Sequence, residues 1–470
     1  MRYKWLPILT VGVVTLAVSG CGSSTDVQRN TTLAEAGVPG LDQRPPQTSA
    51  GSTRALTGLF QNESAVTNAE EISDGDPTGA LTLRQALSLA LLRNPQLSAF
   101  SREVRAAEAR IIAAAAIPNP SAAIGVENFG GRNERRSFRA AETTLALSQL
   151  IELGGKRSGR IRVAGLQRDL ARWDYETTRL DVLTRTVQAF VDVLAAQRRQ
   201  LLAERQFELA KQVSESVGAR VRAGSESPVE ARRSDVALTT RRVELEGARR
   251  SLGRARISLA AFWAGHPQFE TVEGDFDRIA DVPTLDTLLN AMAGNPDIAR
   301  WTAEIGLREA AIELQRAREI PDFTVDAGVR RYSDTDNTAF IAGISVPIPV
   351  FGANPGGVAE ARSNLAVALE RRRAAAVAVS AQLTRAYESL TGAARTVELL
   401  ADDGMPGAKA AFEAAQQAYR AGRFGLLQVL DAQRALIEVE DRYIGALAEY
   451  HNSAAEVERL AGSPLNDLPQ

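Results

Sequence analysis

Cysteine, histidine and methionine are scarce in this sequence. Its 470 residues contain one cysteine, Cys21, and two histidines, His266 and His451, while Met292 and Met405 are the only methionines after the first residue. Soft-metal sites need several such side chains at ligand spacing, and the sequence has no cluster of that kind. We therefore predict no metal site. A single cysteine also excludes an internal disulfide bond.

An excess of charge of one sign is missing as well. The chain has 55 basic and 57 acidic residues, a formal net charge of -2, with both signs interspersed. A nucleic-acid-binding surface needs a positive bias to neutralise phosphates, so we expect no nucleic-acid partner. No nucleophile stands with a base and an orienting acid in a recognisable pattern. We therefore predict no catalytic residues, no enzymatic activity and no dissociable cofactor.

The first twenty residues have the pattern of an export signal. Two basic residues, Arg2 and Lys4, precede an apolar run from position 6 to position 18. That run is shorter than the roughly 20 residues needed by a permanent membrane-spanning helix. We predict a cleaved signal peptide over residues 1–20.

The single cysteine follows this segment directly. Val18-Ser19-Gly20-Cys21 resembles the lipobox of bacterial lipoproteins, whose cysteine carries diacylglycerol and an N-acyl chain. Because a lone thiol in an exported protein is unusual, lipid on Cys21 is favoured over an ordinary signal with a coincidental cysteine. Gly22, in place of an aspartate, resembles lipoproteins sorted outward. We predict a protein anchored by lipid in the outer membrane of a Gram-negative bacterium and extending into the periplasm.

The rest of the chain contains an internal duplication. Short motifs recur about 200 residues later: Asn94-Pro95 as Asn295-Pro296, Pro120 as Pro321, and Arg222-Ala223-Gly224 as Arg420-Ala421-Gly422. A repeat of this length indicates a duplicated half-protein. The predicted parts are a polar tether at 21–80, a first repeat at 81–270, a second repeat at 271–463 and a C-terminal tail at 464–470.

Both halves carry long stretches with apolar residues every seven positions. They are Leu166, Trp173, Leu180, Val187, Leu194 and Leu201 in the first half, and Val429, Leu436, Tyr443, Tyr450 and Val457 in the second. This is the period of coiled-coil-like helix packing. The first helix is predicted to run from Lys156 to about Val221, roughly 100 Å, far longer than a globular helix.

Each half also contains two segments in which apolar and polar residues alternate. Phe323 and Val325 alternate with Thr324 and Asp326, and comparable strands are predicted near 121–129, 141–152, 321–331 and 338–350. Such strands could belong to a soluble sheet packed on a core. In an exported outer-membrane protein they favour a barrel with an apolar outer face and a polar lining.

Four strands are too few to close a membrane barrel, since the smallest barrels have eight. Three chains together supply twelve, which is enough for a water-filled pore. The predicted fold class is therefore mainly α with a transmembrane β-barrel.

The sequence resembles the TolC family of outer-membrane efflux proteins from residue 81 to about residue 463. The likeness rests on the segment 81–90 with Arg93-Asn94-Pro95, and on Tyr419-Arg420-Ala421-Gly422 followed by the segment 429–432. Residues 150–157 and 448–462 are similar to the heavy-metal branch of this family, typified by CzcC and CusC. The resemblance implies a TolC-like homotrimer, in which long coiled-coil-like helices form a periplasmic α-barrel and each chain adds four strands to a twelve-stranded trimeric barrel. It also implies that the trimer docks to a periplasmic adaptor protein and an inner-membrane pump of the RND type.

The resemblance also assigns roles to the turns after the long helices. It implies that the turns at 222–227 and 420–425 lie at the periplasmic tip, where Arg222, Gly224, Arg420 and Gly422 are candidate adaptor contacts. Glycine at such a turn is typical of a helix end.

A periplasmic gate is implied just beyond these turns. Glu230 and Asp431 match positions where the family has a ring of carboxylates, and Tyr419 matches a gate aromatic. Threefold symmetry would concentrate negative potential where cations pass. The match is incomplete, because Gln428 stands where TolC has an acid and Phe424 where it has an arginine. Alternatively, both acids are solvated residues at helix starts, where the helix dipole favours them.

These features support one main function and three alternatives. The main prediction is a passive outer-membrane channel in a tripartite RND-type efflux system, conducting heavy-metal cations. A channel of the same fold could instead export drugs or secreted proteins. A periplasmic coiled-coil scaffold lipoprotein would explain the heptads and the lipid but not the four strands. A lipoprotein hydrolase would need catalytic groups that the sequence does not offer.

Overall fold

A computed structural model describes residues 75–465 of the protein. In that range the α-helices and strands are β1 (Gly79–Thr82), α1 (Leu83–Arg93), α2 (Pro95–Ala114), β2 (Ser121–Glu127), β3 (Glu142–Ile151), α3 (Lys156–Arg222), α4 (Pro228–Ala260), β4 (Phe269–Glu273), α5 (Leu285–Ala291), α6 (Pro296–Ala317), β5 (Phe323–Tyr332), β6 (Asn337–Ser345), α7 (Pro355–Leu399), α8 (Met405–Arg420) and α9 (Leu426–Ala461). The predicted signal peptide, Cys21, most of the predicted tether and the last five residues lie outside the described residues.

Helix α3 matches the long helix predicted from the seven-residue repeat. It begins at Lys156, runs for 67 residues and ends one residue after the predicted position. Val187 and Leu194 of the repeat are buried, whereas Leu201 is exposed. A helix with 3.6 residues per turn drifts by about 20° per heptad against a strict repeat, so one stripe cannot stay buried throughout.

The corresponding helix of the second half is interrupted. Helix α7 ends at Leu399, and the residues Leu400–Gly404 form a π-helical segment before α8 begins. Pro406, the second residue of α8, has no N–H to donate to the preceding turn. The regular hydrogen-bond ladder is therefore broken at this point, and the wider turn takes its place.

The repeated Asn-Pro motif has one geometry in both halves. The Asn94 side chain caps α2 by accepting from the Gln96 and Leu97 amides, and its Nδ2 donates to the Phe262 carbonyl at 2.8 Å. Asn295 caps α6, and its Nδ2 donates to the Arg459 and Leu460 carbonyls. Asn94 therefore joins α2 to the short 3-10 turn that follows α4, and Asn295 joins α6 to the end of α9.

Two sheets complete the fold. The four-stranded antiparallel sheet has the order β2-β3-β5-β6, and the pairing of β3 with β5 joins the two halves. A small parallel sheet pairs β1 with β4, so the chain is already in a strand at Gly79, inside the range predicted as a tether. The largest buried side chains lie in the core near β4: Trp263, Tyr450, Phe190, Phe269 and Phe276.

Candidate functional site

One face of the four-stranded sheet is apolar and exposed. Its large side chains are Ile124, Val126, Leu145, Leu147, Val325, Phe340 and Ile344. Phe340 is 89% exposed and Ile344 is 72% exposed. A contiguous apolar face of this kind is not typical of a water-facing surface, and it fits the hydrocarbon of a bilayer. Among residues 75–465, no helix is both long and apolar enough to cross a membrane.

The opposite face of the sheet is polar. One row across its strands consists of serine, aspartate and glycine residues. The register places Ser121, Ser148, Asp326 and Gly343 side by side across the four strands. Ser148 Oγ donates a hydrogen bond to the Asp326 carboxylate. No basic group forms an ion pair with Asp326 among the described residues. The row therefore carries an uncompensated negative charge.

The remaining charges of the polar face lie further along the strands. Arg330 donates to Glu142 at 3.1 Å and lies 3.7 Å from Glu127. With Asp326, the face carries three carboxylates and one guanidinium, a net charge of -2 per chain. A surface with this charge attracts cations and repels anions.

The two turns that end the long helices have the same backbone geometry. Gly224 and Gly422 adopt left-handed φ angles of +72° and +73°. The amide of Ser225 donates to the Arg220 carbonyl at 3.0 Å, and the amide of Arg423 donates to the Ala418 carbonyl at 2.8 Å. Glycine is required because a side chain at this φ is strained.

All four candidate adaptor contacts lie on these turns. Arg222, Gly224, Arg420 and Gly422 are exposed and therefore accessible to a partner. Their contact with an adaptor stays a prediction.

The candidate gate residues do not occupy equivalent positions. Glu230 is the third residue of α4, whereas Asp431 is the sixth residue of α9. Counted from the turn glycines, the equivalent of Glu230 is Gln428, and the equivalent of Asp431 is Arg233. The helix dipole accounts for an acid at Glu230, in the first turn of its helix, but not for Asp431. The two carboxylates therefore lie at different depths from the turns.

The carboxylates also differ in their surroundings. Glu230 accepts from Arg233 at 2.8 Å and is largely shielded from solvent, whereas Asp431 lies 3.5 Å from Arg434 and both of these side chains are exposed. Tyr419 is partly buried, and the guanidinium of Arg220 stacks on its ring. Whether these residues gate the protein stays a prediction.

Neither histidine belongs to a cluster of potential ligands. His266 is exposed, while His451 is buried with its Nε2 at 2.9 Å from the Phe276 carbonyl oxygen. Burial lowers the pKa of His451, against the opposing effects of that carbonyl and of Asp275 and Asp277. In residues 75–465, no group of three or more His, Cys, Asp or Glu side chains is arranged to hold a metal ion.

The sheet has an exposed apolar face and an acidic polar face, and it is joined to very long helical hairpins. Together these features are those of an outer-membrane channel protein. The sequence matches the family model described as outer membrane efflux protein over residues 86–265 and 288–463, and the chain belongs to this family. The predicted family, the outer-membrane location and the role as an efflux channel are confirmed.

Three curated relatives are similar over most of their lengths. The cobalt-zinc-cadmium resistance protein CzcC of Cupriavidus metallidurans is 33% identical over 388 residues, which is 82% of this chain and 91% of CzcC. The nickel and cobalt resistance protein CnrC of the same organism is 28% identical over 62% of this chain and 68% of its own. The pyoverdine export outer membrane protein OpmQ of Pseudomonas aeruginosa is 26% identical over 83% of this chain and 87% of its own.

Solved structures share the fold. The CmeC outer membrane channel of Campylobacter jejuni superposes with a TM-score of 0.69 at 16% identity, covering 86% of this chain and 94% of CmeC. CusC superposes with a TM-score of 0.62 at 16% identity, covering 86% of this chain and 99% of its own. The predicted TolC-like fold class is confirmed by these likenesses.

Proposed function

We propose that three copies of this chain form one channel that conducts divalent heavy-metal cations out of the cell. The cations come from an inner-membrane RND pump through a periplasmic adaptor protein. The observation that carries this proposal is the similarity to the cobalt-zinc-cadmium resistance protein CzcC over 91% of its length. The acidic polar face of the sheet supports it, because Glu127, Glu142 and Asp326 outnumber the single Arg330.

The sheet itself supports the trimer. In one chain the order β2-β3-β5-β6 leaves an open edge at β2 and another at β6. Unpaired backbone groups are very costly in hydrocarbon, so β6 of one copy pairs with β2 of the next. Three copies close a twelve-stranded barrel, and the face with Asp326 lines its water-filled interior. Lipid on Cys21 adds an anchor in the membrane.

A second candidate is export of a small organic chelator or a drug. It is favoured by the similarity to the pyoverdine export protein OpmQ, which covers 83% of this chain. Removal of the channel should make the cell sensitive to metals under the first candidate, and should impair export of the chelator or drug under the second.

Growth assays separate these candidates. A Gram-negative strain without its own metal-efflux channels is supplied with the cognate pump and adaptor, with or without this chain, and plated on cobalt, zinc, cadmium and a panel of drugs. We expect the chain to restore growth on the metals and not on the drugs. Restored growth on drugs alone would favour the second candidate.

Conductance of the purified protein in planar bilayers tests the channel directly. We expect low conductance in the parent and a rise in E230A or D431A if those carboxylates close the pore. The matched control is E370A, because Glu370 forms the same i,i+3 pair with Arg373, at 2.8 Å, far along the sequence from both turns. Protein that needs no detergent and never conducts would instead indicate the scaffold.

A further inference from the structure

The loop between β2 and β3 lies at the end of the sheet opposite to the long helices. Strand β2 starts a few residues after α2, and β3 leads directly into α3, so the ends near Glu127 and Glu142 point away from the helical part. In the proposed channel this loop reaches the outer surface of the outer membrane. The inference below rests on that proposed function.

The loop is strongly basic and its basic groups are unpaired. Four arginines fall within eight residues: Arg132, Arg135, Arg136 and Arg139. Glu134 is the only acid among them, so the segment has a net charge of +3. All four side chains belong to exposed residues, and none forms an ion pair within the part of the chain that the structure describes. The polar face just below the loop has the opposite sign, with Glu127 and Glu142 next to it.

The loop is folded rather than open. The amide of Gly130 donates to the Ser137 carbonyl and the amide of Gly131 donates to the Arg135 carbonyl, both at 2.9 Å. Asn128, Asn133 and Ser137 adopt left-handed φ angles near 60°. This backbone conformation is uncommon outside glycine and is found mainly in tight turns. The arginines are therefore presented from a defined backbone, which reduces the entropy lost when they bind a ligand.

Two aromatic side chains accompany the arginines. Phe129 and Phe138 stack with ring centres 5.5 Å apart and an interplanar angle of 4°. Both rings are more than half exposed. Exposed aromatic rings next to an apolar strand face are typical of the boundary between hydrocarbon and headgroups.

We propose that this basic loop binds the phosphate groups of anionic lipid in the outer leaflet. Guanidinium groups bind phosphate oxygens through paired charge-assisted hydrogen bonds, and four unpaired ones on a short loop suit a headgroup with more than one phosphate. The aromatic pair and the adjoining apolar face fit the same lipid's acyl region. The loop thereby fixes the channel to its surrounding lipid at the outer surface.

Lipid binding by the purified full chain tests this inference. The protein in uncharged detergent is titrated at 0.15 M salt with a diphosphorylated glycolipid of the lipid A type, with phosphatidylcholine, and with inorganic phosphate as competitor. The loop variant is R132Q/R135Q/R136Q/R139Q. The control, R242Q/R250Q/R371Q/R372Q, removes the same charge from exposed arginines of α4 and α7 that have no ion pair among the described residues.

We expect the loop variant to bind the glycolipid at least about tenfold more weakly and the control to bind like the parent. The half-variants R132Q/R135Q and R136Q/R139Q, each less disruptive to folding, should show intermediate losses. Unchanged glycolipid binding by the loop variant, equal binding of phosphatidylcholine, or full competition by millimolar inorganic phosphate would overturn the inference. Parent conductance in planar bilayers keeps the two proposals apart, because a parent that conducts while the loop variant binds normally refutes only the lipid site.

Discussion

The guanidinium carbon of Arg220 lies 4.9 Å from the centre of the Tyr419 ring, and these residues come from different halves of the chain. Arg220 belongs to the last turn of α3 and Tyr419 to the last turn of α8. The contact therefore joins the two hairpin tips within one chain. The Tyr419 hydroxyl is buried and has no hydrogen-bond partner in residues 75–465, so the contact between the two tips is made by the aromatic ring.

Two substitutions of Tyr419 should separate the effect of its aromatic ring from the effect of its hydroxyl group. We expect Y419A to raise the open fraction of the channel up to about fivefold, since a cation–π contact contributes on the order of 1 kcal/mol. Y419F keeps the ring and should behave like the parent. Single-channel recording measures both. Equal effects of Y419A and Y419F would show that the ring contact does not hold the tips together.

Removing the charge of Asp326 should reduce cation selectivity. D326N keeps the size of the side chain, and we expect the cation-to-anion permeability ratio to fall by about twofold to tenfold, with a weaker effect at high salt. Reversal potentials in a salt gradient measure this ratio. D336N is the control, because Asp336 lies in the β5–β6 turn, 80% exposed and paired with Arg331. A ratio that D326N leaves unchanged would mean that the polar face of the sheet does not line the ion path.

Substitution of Gly328 should destabilise the sheet. A Cβ atom at this position would lie 2.4 Å from the Leu145 carbonyl oxygen and 2.9 Å from Ala146 Cα, so the pairing of β3 with β5 would have to shift. We expect G328A to lower the free energy of unfolding by about 1–3 kcal/mol. G343A is the matched control on the neighbouring strand, where the closest atom would be 3.8 Å away. Thermal unfolding of the assembled protein in detergent measures both.

The stability of the helical part should fall in acid because of His451. Burial lowers the pKa of His451 in the folded chain below the value of 6.5 that is usual for an unfolded one. The unfolded chain therefore binds more protons in this range, and stability falls as the pH drops below about 6.5. We expect the melting temperature to decrease from pH 7.5 to pH 5.5, and the decrease to be smaller in H451Q. H266Q, at the exposed histidine, should retain the full decrease.

The long elements could be predicted from periodicity because each repeats one simple rule many times. The seven-residue pattern predicted α3 from Lys156 almost to its last residue, and alternation from Phe323 onward predicted the face on which Val325 lies. The recurring Asn-Pro pair predicted two related halves. These are local signals, which need no knowledge of what lies across the fold.

Two features needed information beyond these patterns. The row that joins Ser148 to Asp326 depends on the register between strands 178 residues apart, which tertiary packing sets. The different depths of Glu230 and Asp431 had a signal in the sequence, because counting from Gly224 and Gly422 pairs Glu230 with Gln428. The family resemblance, rather than that count, groups the two acids.

The π-helical segment at Leu400–Gly404 makes the two hairpins mechanically unequal. The first arm of the first hairpin is one unbroken helix of 67 residues, with a continuous backbone hydrogen-bond ladder. In the second hairpin the ladder is rearranged at the π-helical segment, which the 16-residue helix α8 separates from the turn, and long helices kink at such segments. In the proposed trimer, three uninterrupted hairpins would therefore alternate with three interrupted ones.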